Sequence, residues 1–174
     1  LIETPDEVTG SLISPDGRGL PGTVRLPTVE WQCVLKEGDT ILDMHIPAGG
    51  RMTPEVCADS MRRALPFFKQ HFPDRPAKAI VSVSWIFSPV LEAFLPSDAN
   101  LVQYLRELHL FPVPSGSTDG LWFIFFQDRF DPATAPRDSS LQRAVLNHIA
   151  TGGSWRIGGM FMLAADMAHF GTQH

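Results

Sequence analysis

The sequence is poor in several residue types that mark common protein classes. It has two cysteines, one tyrosine and three lysines among 174 residues. Two cysteines form at most one disulfide, and Cys33 and Cys57 both lie in apolar segments, so we expect buried free thiols in a reducing, cytoplasmic setting. The longest strongly apolar run, residues 121–126, is far shorter than the roughly 18 residues that a membrane-spanning helix needs. No basic, apolar start resembles a signal peptide.

Basic residues are also too few for a nucleic-acid-binding protein. Lys and Arg together number 14 against 19 Asp and Glu, which gives a net charge of −5, whereas nucleic-acid binders normally carry a basic surplus. The histidines are scattered, and no pair has metal-ligand spacing, so no metal site is expected. The phosphate fingerprints GxxxxGK[ST] and GxGxxG and the nucleophile elbow GxSxG do not occur.

The composition is that of a folded chain. Hydrophobic residues make up 44% and charged residues 19%, and a disordered chain would have fewer of the first and more of the second. The length favours one domain over residues 1–174. Because the chain begins at Leu1 rather than Met, we expect it to be the C-terminal part of a longer protein.

Local patterns predict an α/β protein with a mixed, mostly antiparallel sheet and helices on both faces. Helix starts are predicted at Thr53-Pro54, at Ser88, at Ser97 and at the capping box Ser139–Gln142. A kink is expected at Pro66. Predicted strands cover residues 8–13, 30–35, 40–46, 79–85, 121–126 and 155–163, and the second and third are expected to form a hairpin around residues 36–39. The four tryptophans are predicted to lie in the core.

The strongest local feature is a strand, loop and helix within residues 41–63. In the strand, Leu42, Met44 and Ile46 share one face, and Ile41, Asp43 and His45 share the other. The loop contains Gly49 and Gly50, and a capped helix begins immediately after it. Unpaired amides and the helix dipole make such a unit an anion site, to which Arg51 adds a charged fork. A tight turn with Arg51 in solvent is the alternative interpretation.

His45 and Asp43 are the most plausible acid–base pair. Both lie on one face of the strand beside this loop, so His45 could act as a base that Asp43 tunes. The alternative is a hydrogen-bonded histidine with only a structural role. Cys57 lies on an apolar helical stripe, which favours a core position over a nucleophile.

Asp43-Met44-His45-Ile46-Pro47-Ala48-Gly49-Gly50 resembles a strand-and-loop motif of the GNAT-like C-terminal domain of bacterial acyltransferase-type proteins. Further matches are Glu30-Trp31 with Gly38-Asp39, Phe67-Phe68 with His71-Phe72-Pro73, Ser84-Trp85 with Pro89, Ser97 with Asn100, Leu141-Gln142-Arg143, and Gly152-Gly153. The resemblance extends over roughly residues 8–161. It implies a GNAT-like sheet and transfer of an acyl group from acyl-CoA to an amine acceptor, with no metal.

The resemblance also implies roles for individual residues. Pantetheine would pair with the backbone of residues 43–47, and the pyrophosphate would meet the amides of residues 48–52. The implied cofactor-binding residues are Ile46, Ala48, Gly49, Gly50, Arg51, Met52 and Asn100, and the candidate catalytic residues are His45, Asp43 and Ser84. Strand-end packing is the alternative for Ser84, and helix capping is the alternative for Asn100.

Departures from the family pattern leave a second function open. The adjacent Gly49 and Gly50 do not match the phosphate loop (Q/R)xxGx(G/A). Glu107 stands where many GNAT enzymes have an acid tyrosine, and Tyr104 is out of that register. The first GNAT strand and its two helices are absent, and we expect a preceding domain to supply them. The alternative is therefore a non-catalytic GNAT-like module that docks a partner domain.

Overall fold

The computed structural model describes residues 1–47 and 52–171, and its strands form two sheets. The first is antiparallel, with order β1-β2-β3, and the second has order β4-β5-β7-β6. The strands are β1 (Ile2–Glu3), β2 (Glu7–Gly10), β3 (Val24–Pro27), β4 (Ile41–Asp43), β5 (Ala79–Ser84), β6 (His109–Pro112) and β7 (Gly158–Leu163). The helices are α1 (Pro54–His71), α2 (Leu91–Phe94), α3 (Asn100–Arg106), α4 (Leu121–Phe125) and α5 (Ser140–Ala150).

The larger sheet is mixed and mostly antiparallel, as the sequence predicts. β4 pairs with β5 in parallel, and β7 pairs antiparallel with both β5 and β6. The parallel pairing follows from the helix α1 between the two strands, because parallel neighbours need a long crossover. The fold class is therefore confirmed as α/β.

Helix α1 begins where the local chemistry predicts. The hydroxyl of Thr53 accepts a hydrogen bond from the amide of Val56, and Pro54 occupies the first helical position. The helix buries Ala58 and Met61 and continues past Pro66 to His71. Leu42 and Met44 of the neighbouring strand segment pack against the same core. This packing fixes the end of β4 against the N-terminal half of α1.

Helix α5 begins with the predicted capping box. The Ser139 hydroxyl accepts from the amide of Gln142, and the Gln142 side chain accepts from the amide of Ser139. The Gln142 amide group also donates to the carbonyl of Ile124, 3.0 Å away, which ties α5 to α4.

Replacing Ser139 with alanine should therefore destabilise the domain. Loss of an N-cap costs about 1 kcal/mol, which corresponds to a fall in Tm of about 2–4 °C for a chain of this size. Thermal unfolding followed by circular dichroism measures the change. Ser140→Ala is the matched control, because Ser140 lies inside the helix and makes no capping bond; an equal loss in both variants would contradict the assignment.

The core lies between the larger sheet and the helices. Its most deeply buried large side chains include Trp155, Phe87, Leu91, Leu121 and Leu146. Among the described residues, the core cluster and the side chains packed on it all come from Leu42 onward. The β1–β3 sheet therefore stands apart from the main core.

Several sequence predictions are wrong, each in a region where the local pattern is ambiguous. Residues 30–35 form no strand, so the hairpin around residues 36–39 does not exist, although the turn itself forms through a bond from the Asp39 amide to the Lys36 carbonyl. Residues 121–125 form helix α4 instead of a strand. The strand β6 was not predicted.

The predicted burial is also partly wrong. Both cysteines are free, as predicted, but Cys33 is exposed and only Cys57 is partly buried. Trp155 is a core residue and Trp85 packs against the core, whereas Trp31 and Trp122 are about half exposed. Trp31 follows β3, outside the main core, and Trp122 lies on the solvent side of α4.

Candidate functional site

The parallel strands β4 and β5 separate at one end. Their ladder joins Leu42 to Ile80 and then Asp43 to Val81, and the last link is a bond of 2.9 Å from the Met44 amide to the Val81 carbonyl. β5 continues for three more residues, paired with β7 on its other side. Val83 on this extension is 52% exposed. We call the edge between residues 45–47 and the end of β5, where the ladder has stopped, the cleft.

A serine stabilises the point where the strands separate. The Ser82 hydroxyl donates to the Met44 carbonyl over 2.8 Å, and Ser82 itself is buried. The Ser82 hydroxyl thus takes the place of a backbone amide of β5 as the donor to the Met44 carbonyl. It therefore holds the end of β4 in place while the following backbone turns away.

The structure brings His45 and Asp43 together at the mouth of this cleft. The Nε2 of His45 lies 3.1 Å from Oδ2 of Asp43. Their side chains are 89% and 63% exposed, so the contact adds little to stability. It can instead orient the imidazole towards a solvent-accessible reactant, which is what an acid–base residue needs.

An apolar pocket adjoins His45. It has a volume of about 200 Å³ and lies between the residues after β4 and the first half of α1. Its described lining residues are Met44, His45, Ile46, Pro47, Met52, Val56, Cys57, Ser60, Met61 and Tyr104. Of the predicted cofactor-binding residues, the structure places Ile46 and Met52 in this lining beside the candidate base.

Tyr104 is the residue whose position the sequence analysis missed. It comes from α3, is 5% exposed, and its hydroxyl lies 3.4 Å from the sulfur of Met44. Burial raises the pKa of Tyr104, with a smaller contribution from Cys57, so the phenol remains a neutral hydrogen-bond donor. The sequence did carry a signal for its burial: Tyr104 lies one turn after Asn100 and next to Leu105, on the core side of a short helix.

The start of α1 is occupied in part by the chain's own groups. Hydrogen bonds to its own backbone amide and to the Thr53 side chain lower the pKa of the Glu55 carboxyl. This carboxylate and the Thr53 cap both lie in the region where the anion site was predicted. Residues 48–51, which include the predicted ligands Ala48, Gly49, Gly50 and Arg51, lie outside the described residues.

The structure does not bring the remaining candidates into this group. Ser84 ends β5 opposite Gly158 and makes no side-chain cap bond to the short 3-10 helix that follows it. Asn100 is the first residue of α3, and the cap position belongs to Ala99. Neither residue lines the apolar pocket. Burial raises the pKa of the Cys57 thiol, which favours an apolar wall over a nucleophile.

A larger depression of about 590 Å³ lies at the opposite edge of the sheet. Its floor includes His109 and Phe111 of β6 and Phe161 of β7, and the imidazole of His109 stacks on Phe161 with 4.9 Å between ring centroids. It contains none of the predicted site residues, so size alone does not identify the site.

The described parts of the chain contain neither a cluster of metal ligands nor a membrane-spanning helix. Within residues 1–47 and 52–171, no group of three or more His, Cys, Asp or Glu residues could hold a metal ion. In the same ranges no helix is long and apolar enough to cross a membrane.

The chain is similar to solved structures of acyltransferases. It resembles an acyltransferase in complex with decanoyl-CoA, with 33% identity and a TM-score of 0.66 over 75% of this chain and 42% of that chain. An acyltransferase complex with decanoyl-CoA and teicoplanin matches at 33% identity with the same score, covering 75% of this chain and 43% of that one. A complex with CoA and 10C-teicoplanin matches at 31% identity, also with a TM-score of 0.66, over 75% and 42% of the two chains.

The amino-acid sequence itself assigns the chain to a family. The model of the GNAT-like C-terminal domain matches residues 7–162, and the chain belongs to that family. No curated protein matches it. The chain spans less than half the length of the solved acyltransferases that it resembles.

Proposed function

We propose that this chain is the acyl-CoA-binding domain of a CoA-dependent N-acyltransferase, which transfers an acyl group to an amine. The observation that carries the proposal is the separation of β4 from β5 beside an apolar pocket, with the His45–Asp43 pair at its mouth. The decanoyl-CoA complexes of the similar acyltransferases support it.

In this proposal the backbone of residues 43–47 pairs with the pantetheine arm. The backbone after Met44 leaves the ladder with β5, so its amides and carbonyls are available to an extended ligand. Ile46 and Met52 line the apolar pocket and lie beside the thioester end of the arm. By family resemblance, Ala48, Gly49, Gly50 and Arg51 face the pyrophosphate, and Asn100 contributes from α3.

His45 serves as the base for the attacking amine. It accepts a proton as the nitrogen bonds to the thioester carbonyl carbon, and Asp43 stabilises the resulting imidazolium. The carbon–sulfur bond then breaks, and the leaving CoA thiolate takes up the proton that His45 accepted, which restores the neutral imidazole. The Tyr104 hydroxyl, which donates to the Met44 sulfur, holds the pocket wall in place. The products are an amide and CoA. Ser84 remains a candidate at the far side of the cleft, from the end of β5.

A thermal-shift panel tests the donor site directly. At one hundred times its dissociation constant, a ligand stabilises the folded protein by about 2.7 kcal/mol, or about 5–10 °C in Tm for a domain of this size. We expect such a shift with CoA and acyl-CoAs and none with equal concentrations of ATP. Absence of any shift with CoA, acetyl-CoA and octanoyl-CoA, for protein that unfolds cooperatively, would contradict the proposal.

The second candidate is a non-catalytic module that docks a partner domain, and one observation favours it. Helix α4 is apolar on all sides, and its Trp122 and Phe123, with the following Phe126, are about half exposed or more. Exposed aromatic clusters of this kind mark interaction surfaces. We propose that this surface serves the preceding domain of a longer protein. A module of this kind would lack the CoA shift yet still bind that domain.

A further inference from the structure

The pocket beside His45 has no charged wall among its described residues. Ten described residues line it, and none carries a carboxylate, an ammonium or a guanidinium group. Its polar members are His45, Ser60 and Tyr104, and the others are aliphatic or contain sulfur. Such a lining does not match the polar amide and hydroxyl groups of a pantetheine arm. It matches an apolar ligand segment instead.

Three methionines form much of this wall. Met44 follows β4, Met52 precedes the cap of α1, and Met61 lies on the buried face of that helix. Methionine side chains are unbranched and polarizable, so they adapt to flexible apolar ligands. Burial raises the pKa of the Cys57 thiol, which agrees with its place in an apolar wall.

We propose that this pocket holds the aliphatic chain of the donor, and that the donor is a medium-chain acyl-CoA with about eight carbons rather than acetyl-CoA. This inference rests on the proposed function. The pocket volume of about 200 Å³ equals that of roughly seven water molecules at ~30 Å³ each, and a methylene group is of similar size. An acetyl group would leave most of that space unfilled, whereas an octanoyl tail would occupy it.

In this proposal Cys57 forms the end wall of the pocket. Cys57 and Tyr104 also line a small hollow of about 10 Å³ on the far side, bounded by Pro54, Gln103, Glu107, Phe170 and Gly171. These two side chains therefore lie between the pocket and the hollow. Because Cys57 is the smaller of the two and projects from α1, its size sets the chain length that the pocket accepts.

Isothermal titration calorimetry with CoA, acetyl-CoA, octanoyl-CoA and decanoyl-CoA tests the donor class. Burial of one methylene contributes about 0.8 kcal/mol, or about a fourfold gain in affinity. We expect octanoyl-CoA to bind at least tenfold more tightly than acetyl-CoA. Equal affinities across the series would overturn the assignment of the pocket to the acyl chain but would leave the proposed function unaffected. A failure of all four ligands to bind would overturn the proposed function itself.

Two substitutions of Cys57 test the end wall in opposite directions. Cys57→Ala should raise the ratio of decanoyl-CoA to octanoyl-CoA affinity at least threefold, because it joins the pocket to the hollow. Cys57→Leu should lower the ratio of octanoyl-CoA to CoA affinity at least tenfold. Each ratio is measured within one variant, and circular dichroism confirms that the variant is folded.

Arg62→Ala provides the matched control, because Arg62 lies on the exposed side of the same helix. Its chain-length profile should equal that of the unmodified protein. If both Cys57 variants kept the chain-length profile of the unmodified protein, Cys57 would not be the end wall. The same would follow if Arg62→Ala changed that profile as much as the Cys57 variants do. If Cys57→Leu does not fold, Cys57→Ala alone decides the question, since it removes atoms without crowding the core.

Discussion

The His45→Ala variant is expected to lose nearly all acyl transfer while it continues to bind acyl-CoA. A positioned general base contributes about 10²–10⁴-fold to rate, and His45 is the basic side chain at the mouth of the cleft. Because the His45 side chain is exposed and its contact with Asp43 lies at the surface, the substitution should not disturb the fold. Release of CoA from octanoyl-CoA, with the best acceptor found in a panel of amines, measures kcat, and calorimetry measures donor binding.

The control for this variant is a second exposed histidine next to an aspartate. His109 on β6 has its Nε2 4.0 Å from Oδ2 of Asp166, at the opposite edge of the sheet from β4. His109→Ala should retain full activity. Asp43→Asn should lose less activity than His45→Ala, because it removes the charge that stabilises the imidazolium but leaves the base in place. Transfer at the normal rate by His45→Ala would remove His45 from the mechanism.

The largest expected loss of stability comes from Gly158→Ala. A Cβ atom at this position would lie 1.9 Å from the backbone carbonyl oxygen of Phe87, and neither partner can move freely, because Gly158 pairs with Ser84 in the sheet and Phe87 is 1% exposed. Overpacking a core costs about 1–3 kcal/mol, and a clash with backbone should reach the top of that range. We expect Tm to fall by about 6–12 °C in a thermal melt.

Two other glycines calibrate this result. At Gly159 a Cβ would meet the ring of Phe111 at 2.4 Å, a side chain that can rotate away, so Gly159→Ala should cost less. Around Gly19 nothing lies within 4 Å of the added atom, so the change should stay within about 0.5 kcal/mol. If all three variants had the same Tm, the close contact between Phe87 and β7 would be refuted.

Local hydrogen-bond chemistry made some elements predictable from the sequence. The Thr53 cap and the Ser139–Gln142 box depend on residues three positions apart, so their partners are visible in any short window. Both form as predicted. The alternation of residues 41–46 also gave the correct faces, since Leu42 and Met44 pack on the core while Asp43 and His45 face solvent.

Elements that depend on distant partners were not predictable in this way. Residues 121–126 are apolar at every position, and such a short run has no period to distinguish a strand from a helix. β4 has its partner in β5, beyond an 18-residue helix, whereas the predicted hairpin used the nearest apolar segment. β6 has four residues, ends in Pro112 and pairs with β7. Pro112 lies opposite Gly158, which comes 46 positions later in the sequence.

In the candidate site, too, the contact between neighbouring residues was predictable and the contact between distant residues was not. His45 follows Asp43, the last residue of β4, by two positions, so their contact is visible from the alternation of a predicted strand. Tyr104 reaches the same place only because α3 packs against α1 and the end of β4, which no local pattern records. Its hydroxyl thus meets Met44 across 60 positions of sequence.

The most direct test of the cleft between β4 and β5 is a titration of ¹⁵N-labelled protein with decanoyl-CoA, followed by amide chemical shifts. The predicted result is that the largest changes fall on His45, Ile46 and Val83, where the two strands separate. Changes confined to His109, Phe111 and Phe161 at the opposite edge, or no changes at saturating ligand, would contradict the account.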